Sequence, residues 1–366
     1  MNNRPNITSR RRVLKGAALS AAGTPFGILG STRGQEAKKK YPIVGSGDHT
    51  YEVIHNWAQL PDKYSWQTTH NVAIDNNQNL YVIHEGRANL TDHPSIFVFD
   101  ANGKFVKAFG HQFQGGGHGI EVHTEGREQF LYVCGFQQVK SFAKMTLDGE
   151  VVWEQRAPMD SGKYHKDEAE NPQKVWGRNR FMPTNFAFLP DGGFLLADGY
   201  GAWTVHRYDK DANYVSSFGS EGETDGKFRL PHGIWIDDRP GREPSVVVCD
   251  RSNARVQWLT LEGQHIKTMT DFILPANVDR WGEMLLIPDL SARITLVDKN
   301  DNLIHLAEDN AWRDKVLAKN KRMRSTPDGW ENGRFVHPHD ACFDAEGNIF
   351  VAEWVATGRI TKMRKV

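Results

Sequence analysis

Four histidines stand where a short apolar strand begins: His70 before NVAI, His118 before GIEV, His232 before GIWI and His339 before DACF. Imidazole nitrogen ligates zinc, copper or iron. Three such ligands with a position left open make a catalytic zinc arrangement. Each histidine also has a plainer reading, as a turn residue that hydrogen-bonds a strand start. Spacing alone does not separate these readings. What separates them is whether the fold brings the turns together.

The elements around the histidines repeat. Residues 228–258, FRLPHGIWIDDRPGREPSVVVCDRSNARVQW, read as a turn, a strand, a loop, a second strand and the start of a third. The same pattern starts at His70, His118, Thr184, His232, Ala276 and His339. Units of four short strands, about 45 residues long where nothing is inserted, are the signature of a β-propeller. The expected fold is therefore an all-β, six-bladed propeller spanning residues 41–366. Equivalent turns then ring one mouth of a central channel. His118, His232 and His339 belong to units two, four and six, related by a pseudo-threefold axis. His70 lies outside that symmetry, as a fourth neighbour or a structural residue.

Unit six lacks a fourth strand, and residues 50–58, TYEVIHNWA, supply one. Ring closure by that N-terminal strand is expected, because it removes an exposed sheet edge. Two stretches, 161–180 and 311–334, lengthen the turns that feed units three and six. Each reads either as a solvated loop or as a rim over the channel mouth.

The 366 residues are 25% charged, with formal net charge zero. Residues 1–36 hold six basic residues and one acid, leaving 39 basic against 44 acidic. No basic surplus exists to hold a phosphate backbone, which argues against nucleic-acid binding. Residues 9–15, SRRRVLK, precede a weakly apolar run at 16–29. That order is an export signal, and the paired arginines resemble the bacterial twin-arginine type. The expectation is a signal and linker over 1–36 and a periplasmic or extracellular protein. No later segment reaches the ~20 apolar residues of a membrane span, so no stable anchor is expected after cleavage. Cys134, Cys249 and Cys342 are odd in number and sit in apolar strand patterns, as buried thiols.

Four sets of words occur in blade order: HGIEV, PTNFAF with ADGYG, FRLPHGIWI with CDRSNARVQ, and PHDA. In this the chain resembles peptidyl-α-hydroxyglycine α-amidating lyase, a six-bladed propeller of the NHL-repeat type. The resemblance covers most of residues 66–366. It implies zinc on His118, His232 and His339, Tyr200 as base, and Arg251 as anchor of a substrate carboxylate. It also implies a structural calcium held by the carbonyls of Val72 and Ile120 and by Asp340. Each role has a physical sense. A metal acidifies a hydroxyl, a tyrosine near it takes the proton, and arginine grips a carboxylate bidentately. Oxygen ligands suit calcium. Tyr200 reads equally as a core aromatic, and Arg251 equally as a blade cap. Asp198, Asp250, Asp289 and Glu353 end their second strands alike, which reads as structural.

The chain lacks the cysteines that make the family's disulfides, and it departs from the family at two further places. Glu85 stands where the family has a second arginine, with Arg87 two residues on. His337 replaces a methionine and offers an extra ligand or acid–base group. His70, His84, Glu85, Arg87 and His337 are thus additional candidates. The reading is an exported zinc-dependent lyase acting on a small-molecule or peptide substrate in the channel. The rival is a non-catalytic NHL-type propeller that binds a protein or glycan through its rim. A propeller oxidoreductase is weaker, since no C-x-x-C-H attachment motif is present.

Overall fold

The computed structural model describes residues 40–366 apart from 88 and 91, so the export-signal reading falls outside the described residues. Six antiparallel sheets follow one another along the chain. Blade 1 holds Thr69–Ile74, Leu80–His84, Ile96–Phe99 and Phe105–Phe109, and blade 2 Gly117–Glu125, Glu128–Gly135, Ser141–Thr146 and Val151–Gln155. Blade 3 holds Asn185–Phe188, Phe194–Asp198, Thr204–Tyr208 and Tyr214–Phe218. Blade 4 holds Pro231–Asp237, Ser245–Asp250, Arg255–Leu259 and His265–Met269. Blade 5 holds Asp279–Trp281, Met284–Asp289, Arg293–Val297 and Leu303–Leu306. Blade 6 joins Pro338–Phe343, Ile349–Glu353 and Arg359–Lys365 to the N-terminal His49–Ile54.

The ring closes as the sequence implies, with Tyr51 opposite Lys365 and Val53 opposite Met363. Two details differ. The closing strand ends at Ile54, because Asn56 takes a left-handed backbone (φ 53°). Trp57 then turns its ring onto Phe350, 4.8 Å between centroids. A fifth strand, Ile43–Ser46, adds outside it.

Both faces of each sheet are buried, which explains why second strands are apolar without alternation. Val246 and Val248 pack towards blade 3, while Val247 and Cys249 pack towards blade 5. All three cysteines are buried and unpaired. Among the described residues, no helix is long and apolar enough to cross a membrane.

The acids that end the second strands hold the turns. Asp198 accepts from the Met182 N–H (2.7 Å), Asp250 from Arg229 (2.7 Å), Asp289 from Leu274 (3.0 Å) and Glu353 from Val336 (2.6 Å). Each donor lies two or three residues before the turn residue. The acids therefore fix where the following strand starts, and with it His232 and His339.

The 161–180 insertion is tied down by a buried ion pair. Lys140 Nζ lies 2.5 Å from Glu168 Oε1, and both residues are 1% exposed. Arg180 (2.8 Å) and the Phe181 N–H (2.9 Å) complete the carboxylate's partners. Removing one partner of such a pair strands the other charge. Glu168→Leu is expected to cost about 3–5 kcal/mol in urea unfolding. A loss below about 1 kcal/mol would show that the pair does not hold the insertion.

Candidate metal centre and the cavity at the channel mouth

The turns of blades 2, 4 and 6 present their imidazoles in one way. His118 Nδ1 bonds the Thr184 carbonyl (2.9 Å), His232 Nδ1 that of Ala276 (2.7 Å), and His339 Nδ1 that of His70 (3.0 Å). In each case the acceptor is the turn residue of the next blade. A carbonyl accepts only, so Nδ1 carries the proton and Nε2 keeps its lone pair. This tie orients a histidine for metal binding.

The three rings gather, with centroids 4.7 Å apart for His118 and His232, 5.1 Å for His118 and His339 and 4.7 Å for His232 and His339. His232 Nε2 lies 3.1 Å from His118 Nε2, and His339 Nε2 is buried without a partner. Burial holds all three rings well below the usual imidazole pKa, so they are neutral. Two neutral rings facing each other by lone pairs repel. A tetrahedral zinc with bonds of 2.0–2.1 Å spaces its nitrogens about 3.3 Å apart, close to what is found here. The donor set fits a transition metal.

His70 joins the cluster but by another geometry. Ligand atoms of His70, His118 and His339 lie within 4.8 Å of one another, so the triad whose ligand atoms gather this closely holds His70 in place of His232. His70 Nε2 pairs with Glu85 Oε2 at 3.3 Å, and its Nδ1 has no partner. It lacks the carbonyl tie that the other three share. That shared tie favours His232 over His70 as the third ligand.

Tyr200 and Arg251 complete the centre. The Tyr200 hydroxyl is 2.9 Å from His232 Nε2 and accepts from Arg251 Nη1 at 3.2 Å. Burial raises the phenol's pKa and the Arg251 cation pulls it back, with a net rise. Arg251 is buried, and its Nη2 has no partner. Phe136 walls the cluster, with its ring centroid 5.0 Å from His118 and 5.3 Å from Tyr200.

A cavity of about 370 Å³ opens onto this group, lined by His70, His339, Tyr200, Arg251 and Glu85. Trp176 from one insertion and Lys321 and Arg324 from the other also line it, so both insertions form a rim. Lys321 ends the helix Asn310–Lys321 and Arg324 lies in the 3-10 turn Arg322–Ser325. Burial pushes the Glu85 carboxyl up, but His70, Gln137 and Arg324 bring it below its ordinary value.

The other candidates lie elsewhere. His84 packs on Phe97 (4.7 Å between centroids) with neither nitrogen hydrogen-bonded. Arg87 is exposed and does not line the cavity. His337 donates from Nδ1 to the Leu290 carbonyl (2.8 Å) and sets its ring against Trp354. Its pKa falls to about 4, chiefly through burial. It is packed outside the histidine cluster.

One residue further along the turns lies a layer of which the sequence reading named Asp340 and missed the asparagines and Glu121. Asn185 donates to Glu121 (2.8 Å) and to Asn277 (2.9 Å), and Asn277 donates to Asp340 (2.6 Å). Asp340 is pushed up to about 7, and Glu121 well above its ordinary value, both mainly by burial. The signal was present: Asn71, Asn185 and Asn277 each follow the turn residue of an odd blade. Gly119 and Gly233 leave room for them, since a Cβ there would meet Asn185 Oδ1 at 3.0 Å and Asn277 Oδ1 at 2.6 Å. Asn71 Oδ1 and Asn185 Oδ1 are buried without donors. Such an oxygen-rich layer fits a hard cation such as calcium. Within it, Asp340 accepts from the Val72 N–H (2.8 Å).

No family model matches the chain. Over 194 residues it is 24% identical to peptidyl-alpha-hydroxyglycine alpha-amidating lyase 1 of Drosophila melanogaster, covering 48% of this chain and 34% of that protein. The chain thus spans about a third of the relative's length. A streptogramin B lyase structure superposes with TM-score 0.52 at 12% identity, over 86% of this chain and 97% of the other. A catalytically inactive variant of virginiamycin B lyase from Staphylococcus aureus, solved with quinupristin, gives 0.53 at 12%, over 86% and 100%. A protein of unknown function from Bacteroides thetaiotaomicron gives 0.55 at 11%, over 86% and 76%. The chain is a six-bladed β-propeller, distantly similar in sequence to an amidating lyase and similar in fold to streptogramin B lyases.

Proposed function

We propose that the protein is an exported, metal-dependent lyase that breaks a C–N bond at a hydroxyl-bearing carbon next to a carboxylate. The observation that carries this reading is the set of three carbonyl-tied histidines whose rings cluster beside Tyr200 and Arg251. His118, His232 and His339 would hold the metal, which supplies Lewis acidity to a substrate oxygen when bound. Arg251 grips the carboxylate through its unpartnered Nη2. Tyr200 takes the hydroxyl proton, and the Arg251 guanidinium that donates to its oxygen favours the phenolate this requires, against the rise that burial imposes. The C–O bond then becomes C=O, the C–N pair leaves on nitrogen, and nitrogen takes a proton. The products are an amide and an α-oxo acid. Phe136 and Trp176 set their rings against Tyr200 and hold it in place. A calcium held by the layer of Asp340, Ile120 and Val72 would be structural. Export rests on the SRRRVLK sequence alone.

The test is glyoxylate release from a peptidyl-α-hydroxyglycine by zinc-loaded protein. Turnover that disappears in chelator and returns with metal is the expected result. Metal-loaded protein with no turnover, yet with affinity for a protein or glycan, would favour the non-catalytic reading.

A further inference from the structure

The cavity holds more positive charge than one carboxylate needs. Its lining carries three cations, Arg251, Lys321 and Arg324, against the single carboxylate of Glu85. Glu85 is already engaged, accepting hydrogen bonds from Gln137 and pairing with His70. The cations are poorly satisfied by the protein itself. Arg251 Nη2 and Arg324 Nε are buried without partners. Arg324 has only one long side-chain hydrogen bond, Nη2 to Thr68 Oγ1 at 3.4 Å. Instead its guanidinium lies flat on Trp354, 3.4 Å from the ring centroid. Lys321 Nζ has no salt bridge among the described residues and sits 5.8 Å from the same ring.

This arrangement is held in place. Lys319, Asn320 and Lys321 have φ of 49°, 53° and 62°, three successive left-handed residues none of which is glycine. That backbone is costly and ends the helix where Lys321 meets the cavity. The Arg324 carbonyl accepts the Ala356 N–H at 2.9 Å, which pins the segment to the turn after Glu353. Burial and the fields of Arg251 and Arg324 depress the Lys321 ammonium, as expected for like charges crowded in a low-dielectric pocket. An anionic guest relieves that crowding, and a walled cleft of one sign focuses the attraction.

We propose that Lys321 and Arg324 form a second anion subsite facing Arg251, so that the natural ligand carries two acidic groups. This rests on the reading above that the cavity receives the substrate. One carboxylate lies at Arg251, next to the reacting carbon. The other acidic group lies on the part of the ligand nearer the rim, against Lys321 and Arg324. The substrate class is then an acidic hydroxylated amide or amino acid derivative rather than a neutral peptide end.

The test is calorimetric titration of metal-loaded protein with linear dicarboxylates from malonate to adipate, each against the monocarboxylate of equal length. At least one dicarboxylate should bind about tenfold or more tightly than its partner. Arg324→Gln and Lys321→Gln should each remove most of that advantage, while Arg324→Lys keeps it. Thermal midpoints of the variants separate lost binding from lost folding. No dicarboxylate advantage, or one that survives in the double glutamine variant, overturns the subsite. The lyase reading is judged separately by glyoxylate release. Turnover without a dicarboxylate advantage leaves that reading standing and sinks this one; the advantage without turnover does the reverse.

Discussion

His232→Ala should lose its bound transition metal on dialysis, while His70→Ala should keep it. The two variants separate the overlapping triads, since His118 and His339 belong to both. His232 carries the same carbonyl tie as those two, and His70 does not. Loss of a partner outside the ligand shell costs about 10–100-fold in metal affinity. Loss of a ligand should cost more, enough to leave His232→Ala empty at micromolar protein. Activity should follow the metal. The opposite pattern, with metal lost from His70→Ala and kept by His232→Ala, would move the centre towards Glu85 and remove Tyr200 from it.

Tyr200→Phe should lower kcat by about 10²–10⁴-fold, the usual contribution of a positioned acid–base group. Metal content should not change, because the tyrosine touches His232 without tying it. KM should change little, because Arg251 holds the carboxylate. Arg251→Met should instead raise KM, and it also removes the cation that opposes the burial of the phenol. A Tyr200→Phe enzyme within a few-fold of wild type would end the role of Tyr200 as base. The split between the two variants matters more than either loss, since a packing defect would move both parameters together.

Much of this was legible in the chain. Six repeats of one turn–strand–strand pattern gave the ring, and a last unit short of one strand gave its closure through Tyr51 and Val53. The acids at 198, 250, 289 and 353 were readable as structural because they recur, and each proves to hold a turn. Histidines at the turns pointed to a cluster, and the structure gathers His70 with His118 and His339, which the alternate-blade pattern alone did not select. Four things were not legible. The closing strand stops at Ile54 because Asn56 turns left-handed, and the apolar Trp57 beyond it keeps one backbone bond, to the Ile360 carbonyl (3.0 Å), while its ring packs on Phe350. His337 resembled a ligand by its nearness to His339, but sequence distance says nothing of direction, and its ring turns to Trp354. Lys321 and Arg324 reach the cavity only because Trp354, some thirty residues on, offers its face.

The asparagine layer was missed for a different reason. An Asn after a turn is ordinary turn chemistry. Only the ring turns three such residues into a connected path between Glu121 and Asp340.

The central claim is tested most directly by anomalous scattering from crystals of protein purified without chelator, measured across the zinc edge and the edges of neighbouring metals. One peak bonded to the Nε2 atoms of His118, His232 and His339, beside the Tyr200 hydroxyl, is the predicted result. No peak in metal-supplemented crystals, or a peak bonded to His70 and Glu85 instead, would contradict it.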